Sequence, residues 1–183
     1  PMDRLLQDLT VVEASRDVAV RHCGRLFARL GAAVVRAEGG DAAVIGYGGS
    51  AGEAFGRWLD AGKVTRPTAR ADLVIAGLTD AGVAAGQRLA AELGAVLLEI
   101  RWFHPDGPYA AWRGTDELIQ ALTGLAYSFG PAAGPPTLAQ GHGPQLAVPL
   151  LQPHLHVIFP ARVRGDVARQ PRLHARLGRR RFT

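Results

Sequence analysis

The chain has 183 residues, of which 48% are apolar and 20% charged, and its formal net charge is +5. This length allows one domain with a sizeable core, since a domain takes about 150 residues, and no apolar run is long enough to predict a membrane span or a cleavable leader. A lone cysteine, Cys23, excludes a disulfide framework and a thiolate metal cage, so a reducing, cytoplasmic setting is expected.

The first forty residues are predicted to form a strand, a helix and a second strand. Leu9–Ala14 is Val-rich and bounded by polar residues, as buried strands are. Arg16–Leu30 has apolar residues on one helical side, and Gly31 follows where a helix-terminating glycine belongs. Ala32–Ala37 predicts a second strand that ends at the acidic residue Glu38. This order predicts parallel strands in a doubly wound sheet.

Two more strands and one helix are predicted farther along. Ile45–Gly56 is rich in glycine and poor in pattern, which predicts a loop. Ala71–Gly77 and Ala95–Ile100 are apolar strands, and the Ala-rich segment Asp80–Leu93 between them predicts a helix stopped by Gly94. The predicted fold class is therefore α/β and Rossmann-like, with a mostly parallel sheet and flanking helices. No GxGxxG follows the first strand, which argues against a dinucleotide-binding enzyme.

The segment Phe103–Gly141 carries the most distinctive sequence. It opens with a turn at Pro105–Pro108 and continues into a helix predicted over Asp116–Leu125, with acidic residues in its first turn. It closes in a loop dense in glycine and proline, Gly130–Pro136.

These motifs resemble those of a known family. The runs GPYA, GTDELIQALTGL and GPPT, with the amino-terminal VVEASRDVAVRHCGRLFARLGAAVVRAE, resemble the family III CoA-transferases, a group that includes the α-methylacyl-CoA racemases. The resemblance covers roughly residues 5–149, with a gap at about 45–62. It implies a scaffold that moves coenzyme A between carboxylic acids, with CoA or acyl-CoA as substrate and no permanently bound cofactor. Because family chains are about twice as long, the resemblance also implies an incomplete, truncated chain.

The charge separates the chain into two parts. Residues 1–149, the Rossmann-like part, have a balance of −2, whereas residues 150–183 carry eight arginines and one acid, a balance of +7. The family would continue here into a long Ala- and Leu-rich helix. Two interpretations stay open: an out-of-frame or diverged end, or a native basic tail that is disordered.

The catalytic groups of the family have no match. The family's nucleophilic aspartate follows the GPP motif in a Gly-Asp pair, which here is Gly141–His142. The position of the racemase histidine is Thr115. His142 is either a base that titrates near neutral pH or a loop histidine without a catalytic role. Asp116 is either a catalytic carboxylate or, as we expect, a charge or cap at the start of a helix.

The resemblance implies five residues that contact CoA. The backbone at Val18 and Ala19 matches the turn that approaches the adenine, although Arg21 replaces the usual proline there. Lys63, the single lysine, matches a lysine near the CoA phosphates, the alternative being a solvated lysine. Arg101 and Phe103 match a basic and an aromatic position after the fourth strand, and Gly77–Leu78 replaces an Asn-Phe pair. Glu13 and Glu38 are expected to have structural uses, with a ribose contact as the alternative for Glu38.

The sequence leaves three candidate functions open. The first is transfer of CoA, with racemization less favoured; the second is a non-catalytic acyl-CoA-binding or assembly subunit, in a homodimer or with a partner. The third is nucleic-acid binding through Arg179–Arg181, which we do not favour because no recognition motif or interleaved aromatics accompany the arginines. Trp58, Trp102 and Trp112 are expected to be core or interface anchors. No metal site is expected.

Overall fold

A computed structural model describes residues 5–36, 49–128, 133–138 and 162–164, with 49–51 and 162–164 described by their backbone alone. The strands are β1 (Thr10–Glu13), β2 (Ala33–Val35), β3 (Leu73–Gly77), β4 (Val96–Ile100) and β5 (Arg162–Arg164). The helices are α1 (Val18–Arg29), α2 (Gly49–Asp60), α3 (Asp80–Leu93) and α4 (Asp116–Leu122), followed by a 3₁₀ helix at Leu125–Ser128.

The strands form one sheet in the order β2-β1-β3-β4-β5. The first four are parallel, and β5 pairs with β4 in the antiparallel direction. The predicted fold class, an α/β Rossmann-like arrangement with flanking helices, is thus confirmed. β5 comes from the basic segment 150–183, so three residues of that segment take part in the sheet.

The sheet is covered on both faces, which is why its strands are apolar almost throughout. Because side chains alternate across a strand, β3 contributes Leu73 and Ile75 to one cluster and Val74 and Ala76 to the other. The first cluster packs against Phe27 and other residues of α1, and the second packs against α3. The helices therefore lie on opposite faces, as in a doubly wound fold.

The best-predicted helix is α3, which has the bounds expected from sequence. The Thr79 hydroxyl accepts a hydrogen bond from the Gly82 N–H at 3.0 Å and so caps its first turn. Gly94 ends it in the left-handed conformation at φ 62°. In the part of the chain described, no helix is both long and apolar enough to cross a membrane.

The predicted loop over Ile45–Gly56 is wrong from Gly49 onward, where α2 begins. Glycine disfavours helices by about 1 kcal/mol per residue relative to alanine, and α2 contains three glycines. Packing overrides that propensity. Leu59 is fully buried, and the Gly56 carbonyl accepts a hydrogen bond from Arg21 of α1 at 3.0 Å.

Candidate functional site

The carboxyl edge of the parallel strands is the candidate site. β1 lies between β2 and β3, and the chain crosses to opposite faces of the sheet after β1 and after β3. Ligands of open α/β sheets bind in the crevice that opens at such a reversal of strand order. The candidate site is therefore formed by residues that follow β1, β3 and β4.

Four of the five residues expected to contact CoA lie at this edge. Val18 and Ala19 begin α1, directly after the turn that follows β1, and Arg101 and Phe103 follow β4. Arg101 already has two acidic partners: its Nε lies 3.2 Å from Glu99 and its Nη1 lies 3.3 Å from Asp80. The positions of these four residues do not test whether they contact CoA, so that contact stays a prediction.

Phe103 belongs to an aromatic cluster at the same edge. The ring centroids of Phe103 and Tyr109 are 5.8 Å apart, and those of Tyr109 and Trp112 are 4.8 Å apart. Tyr109 is 41% and Trp112 49% exposed, so the cluster presents aromatic surface to solvent. Rings in such arrangements attract one another and can also pack a planar ligand.

Lys63 lies in a buried ion pair. Its side chain is 0% exposed, and its Nζ lies 2.5 Å from Glu13 Oε1 and 2.6 Å from the Arg21 carbonyl. The alternative of a solvated lysine is therefore wrong, and Glu13 has the structural use expected of it. The phosphate contact stays a prediction, and it requires Nζ to leave these partners.

Burial governs the protonation of this pair. Loss of hydration raises the pKa of Glu13 to about 7. The positive charge of Lys63 acts in the opposite direction, but its effect is smaller. Burial likewise lowers the pKa of Lys63, although Glu13 opposes the change. The neighbouring Cys23 thiol has its pKa raised to about 12 by burial and by Glu13, so it is not a reactive nucleophile.

A group of arginines around Asp60, which the sequence analysis missed, lies beside this pair. Arg21 donates to both carboxylate oxygens of Asp60, at 3.1 and 3.0 Å, and Arg36 Nη1 lies 2.5 Å from Oδ2. Arg16 Nη2 lies 3.8 Å from the same oxygen. One feature of the sequence could have predicted this group. Arg16 and Arg36 come shortly after two strands, and the carboxyl ends of parallel strands meet at one edge of a sheet.

Thr115, at the position of the racemase histidine, caps α4. Its hydroxyl accepts a hydrogen bond from the Leu118 N–H at 3.3 Å. Asp116 follows as the first helical residue, and its carboxylate accepts from Gln120 at 2.8 Å. Burial raises the pKa of Asp116, although the hydrogen bond from Gln120 opposes this change.

The helix predicted over Asp116–Leu125 ends earlier than expected. Gly124, at φ 77°, separates α4 from the 3₁₀ helix, so α4 ends at Leu122. Two other residues of the sequence analysis, Glu38 and His142, lie outside the described residues.

The pair Gly77–Leu78 has an unusual backbone at the end of β3. A Cβ on Gly77 would lie 2.4 Å from the Ile100 carbonyl oxygen, so the close approach of β4 requires glycine. Leu78 has φ 61°, a conformation that costs about 1–3 kcal/mol for a residue other than glycine. Its N–H donates to the Ile100 carbonyl at 2.9 Å, which extends the ladder between β3 and β4.

Metal ligands are not clustered in the described part of the chain: no group of three His, Cys, Asp or Glu residues there could hold an ion.

The chain is similar in fold to a protein of known structure. No protein-family model matches the sequence, and no curated protein is significantly similar to it. Among solved structures, the chain resembles a hypothetical protein from Mycobacterium tuberculosis, with 20% identity and a TM-score of 0.50. The likeness covers 86% of this chain and 52% of that one, so the chain spans about half the length of the solved protein. At this level of identity the likeness shows a shared α/β fold and no more.

Proposed function

We propose that this chain is a CoA-transferase of the family III type, whose α/β layer binds an acyl-CoA at the carboxyl edge of the sheet. The motifs GPYA, GTDELIQALTGL and GPPT suggest it. The observation that carries the proposal is that Val18, Ala19, Arg101 and Phe103, which are far apart in sequence, follow strands of one parallel sheet at the same edge.

The chemistry of this edge suits a nucleotide thioester. The first N–H groups of a helix such as α1 have no partner within the helix and favour anions. A guanidinium such as that of Arg101 can bind phosphate oxygens through parallel hydrogen bonds, and aromatic surface lies beside it. These groups would bind and orient the CoA.

Transfer of CoA additionally needs a carboxylate. In the proposed reaction the carboxylate attacks the thioester carbonyl, the carbon–sulfur bond breaks, and a mixed anhydride and CoA thiolate result. Carboxylates are weak nucleophiles, so the site must hold the reactants close and stabilise the oxyanion. His142 occupies the expected position of this carboxylate in the sequence.

A second candidate function is that of a non-catalytic acyl-CoA-binding or assembly subunit. One observation favours it: the Thr115 side chain, at the position of the racemase histidine, is engaged in capping α4. With His142 in place of the acid, neither of the two family reactions then has its reacting group. This candidate shares the CoA site with the first and differs in having no turnover.

Calorimetric titration of the full chain with CoA tests the shared claim. We expect Arg101→Ala to weaken CoA binding by about tenfold, the value of a hydrogen bond to a charged group. Arg88→Ala, an exposed arginine on α3, is the matched control and should bind like the parent. Absence of CoA binding by the parent, or equal effects of both variants, would reject the proposal.

A transfer assay separates the two candidates. Succinyl-CoA is supplied as donor with a set of carboxylic acids as acceptors, and acyl exchange is followed over time. Turnover above the buffer rate supports the transferase, whereas CoA binding with no turnover supports the non-catalytic subunit.

A further inference from the structure

The arginines around Asp60 form a group of their own, which we call the Asp60 cluster: Arg16, Arg21, Arg36 and Asp60. Arg16 lies in the turn after β1, Arg36 directly follows β2, and Asp60 ends α2. The position of Arg36 is fixed by its backbone, because its N–H donates to the Val64 carbonyl at 2.9 Å. Two side chains from adjacent strand ends thus converge on one carboxylate.

The Asp60 cluster carries more positive charge than its carboxylate can balance. Three guanidinium groups share Asp60, and the adjacent Lys63 lies 4.0 Å from it. Burial alone would raise the pKa of Asp60, but the hydrogen bonds and charges of Arg21 and Arg36 hold it below its usual value. Among the described residues, adding Lys63 and Glu13 to the cluster gives four cations and two acids. Asp17, which follows Arg16 in the sequence, accepts a hydrogen bond from the Ser15 hydroxyl at 2.7 Å.

Hydrogen-bond donors are also in surplus. Each guanidinium has five N–H groups. Arg16 Nε is buried without a hydrogen-bond partner among the described residues, and Arg16 Nη2 stands beyond hydrogen-bond distance from Asp60. An unpaired buried donor of this kind is unfavourable, because it has lost its hydration without gaining a partner. Arg16 and Arg36 are 22% and 28% exposed, so a solute can reach them.

We propose that Arg16 and Arg36 form a phosphate-binding site, in which Asp60 is the internal counter-ion of the unliganded state. A phosphate group supplies the missing negative charge and accepts parallel hydrogen bonds from a guanidinium fork. Arg21, nearly buried and paired with both oxygens of Asp60, holds that carboxylate in place and does not itself contact the ligand. The site stands independently of the CoA proposal.

The first test uses inorganic pyrophosphate and the full chain, in a buffer free of phosphate and sulfate. The parent should bind pyrophosphate in a calorimetric titration, and Arg16→Gln and Arg36→Gln should each weaken that binding about tenfold or more. Arg88→Gln is the control for loss of one positive charge. Failure of the parent to bind, or similar losses in all three variants, overturns the proposal.

A second variant tests the role given to Asp60. Asp60→Asn removes the internal counter-ion, so pyrophosphate should raise its melting temperature more than that of the parent. If Asp60→Asn folds only when pyrophosphate is present, that rescue also supports the site. An equal or smaller rise, or no rescue, contradicts it. If Arg16→Gln does not fold, Arg16→Lys replaces it and should bind more weakly than the parent, because lysine has no fork.

Two further ligands identify the source of the phosphate. CoA and 3′-dephospho-CoA are titrated into the parent and the two arginine variants. A loss confined to CoA assigns the site to the 3′-phosphate of CoA, and a loss for both ligands assigns it to the diphosphate. Binding of pyrophosphate without binding of CoA leaves the site intact and rejects the proposed function. Binding of CoA that is indifferent to both arginines, with no pyrophosphate binding, does the reverse.

Discussion

At the scale of single residues, Glu13 and Lys63 form an ion pair whose two side chains are almost fully excluded from solvent. A single lysine indicates a surface charge or a ligand contact, because lysine is almost never fully buried unless paired. Its partner lies 50 residues away on β1. A contact of that kind depends on the three-dimensional fold, so no local pattern around Lys63 could have predicted it.

The pKa of Glu13 leads to a prediction about pH. The folded chain keeps a proton on Glu13 between about 4.5 and about 7, where the unfolded chain has lost it. The free energy of unfolding contributed by Glu13 therefore falls as pH rises through this window, by at most about 1.4 kcal/mol per pH unit. His22, whose pKa burial lowers to about 4, gives an opposite slope over part of the window. The parent must therefore be compared with a variant.

Denaturant unfolding of the parent and of Glu13→Gln at several pH values measures this contribution, because the effect of His22 cancels in the difference. We expect the stability of the parent relative to Glu13→Gln to decline from pH 4.5 to pH 7. Glu92→Gln, which alters an exposed acid on α3, should show no such decline. A difference that grows with pH would mean that Lys63 holds Glu13 ionised throughout.

At the scale of elements, local signals predicted the helices and strands wherever they agreed with the packing. Gly94 marks the end of α3, and the apolar runs of β1, β3 and β4 follow from burial on both faces. α2 was missed because its three glycines signal a loop. At Gly56 a Cβ would lie 3.3 Å from Arg21 Nη2, so the residue that weakens the helix also admits the arginine. Packing of this kind has no signature in a single sequence.

The contact between α3 and β3 gives a prediction for Gly86. A Cβ at Gly86 would lie 2.2 Å from the Cβ of Ala76, closer than two carbons can approach. Gly86→Ala should therefore lower the free energy of unfolding by about 1–3 kcal/mol, as overpacking does, although alanine is the better helix former. At the exposed Ala84 on the same helix, Ala84→Gly should also destabilise, by about 1 kcal/mol, through propensity alone. A stabilised Gly86→Ala in denaturant unfolding would show that α3 can move away from the sheet.

At the scale of the whole molecule, the parallel direction of β1 to β4 was predicted from the sequence, whereas the strand that covers the edge of β4 was not. Repeated strand–helix units predict parallel strands, because right-handed crossovers leave few alternative arrangements. β5 could not be predicted, because Arg162–Arg164 lies in a segment whose composition indicates a tail. In the structure it pairs Val163 with Leu98 and so covers the edge of β4. An uncovered edge strand exposes N–H and C=O groups to other chains.

Removal of residues 150–183 tests this role. The shortened chain should lose hydrogen-exchange protection at those β4 amides that face β5. Amides of β1, which β3 and β4 separate from β5, should keep theirs and act as the internal control. It should also self-associate more, as judged by sedimentation, since the edge of β4 is then open. Unchanged protection across β4 would mean that the basic segment contributes nothing to the sheet in solution. Loss of protection in β1 as well would mean that the segment supports the whole fold, because β5 pairs with β4 and not with β1.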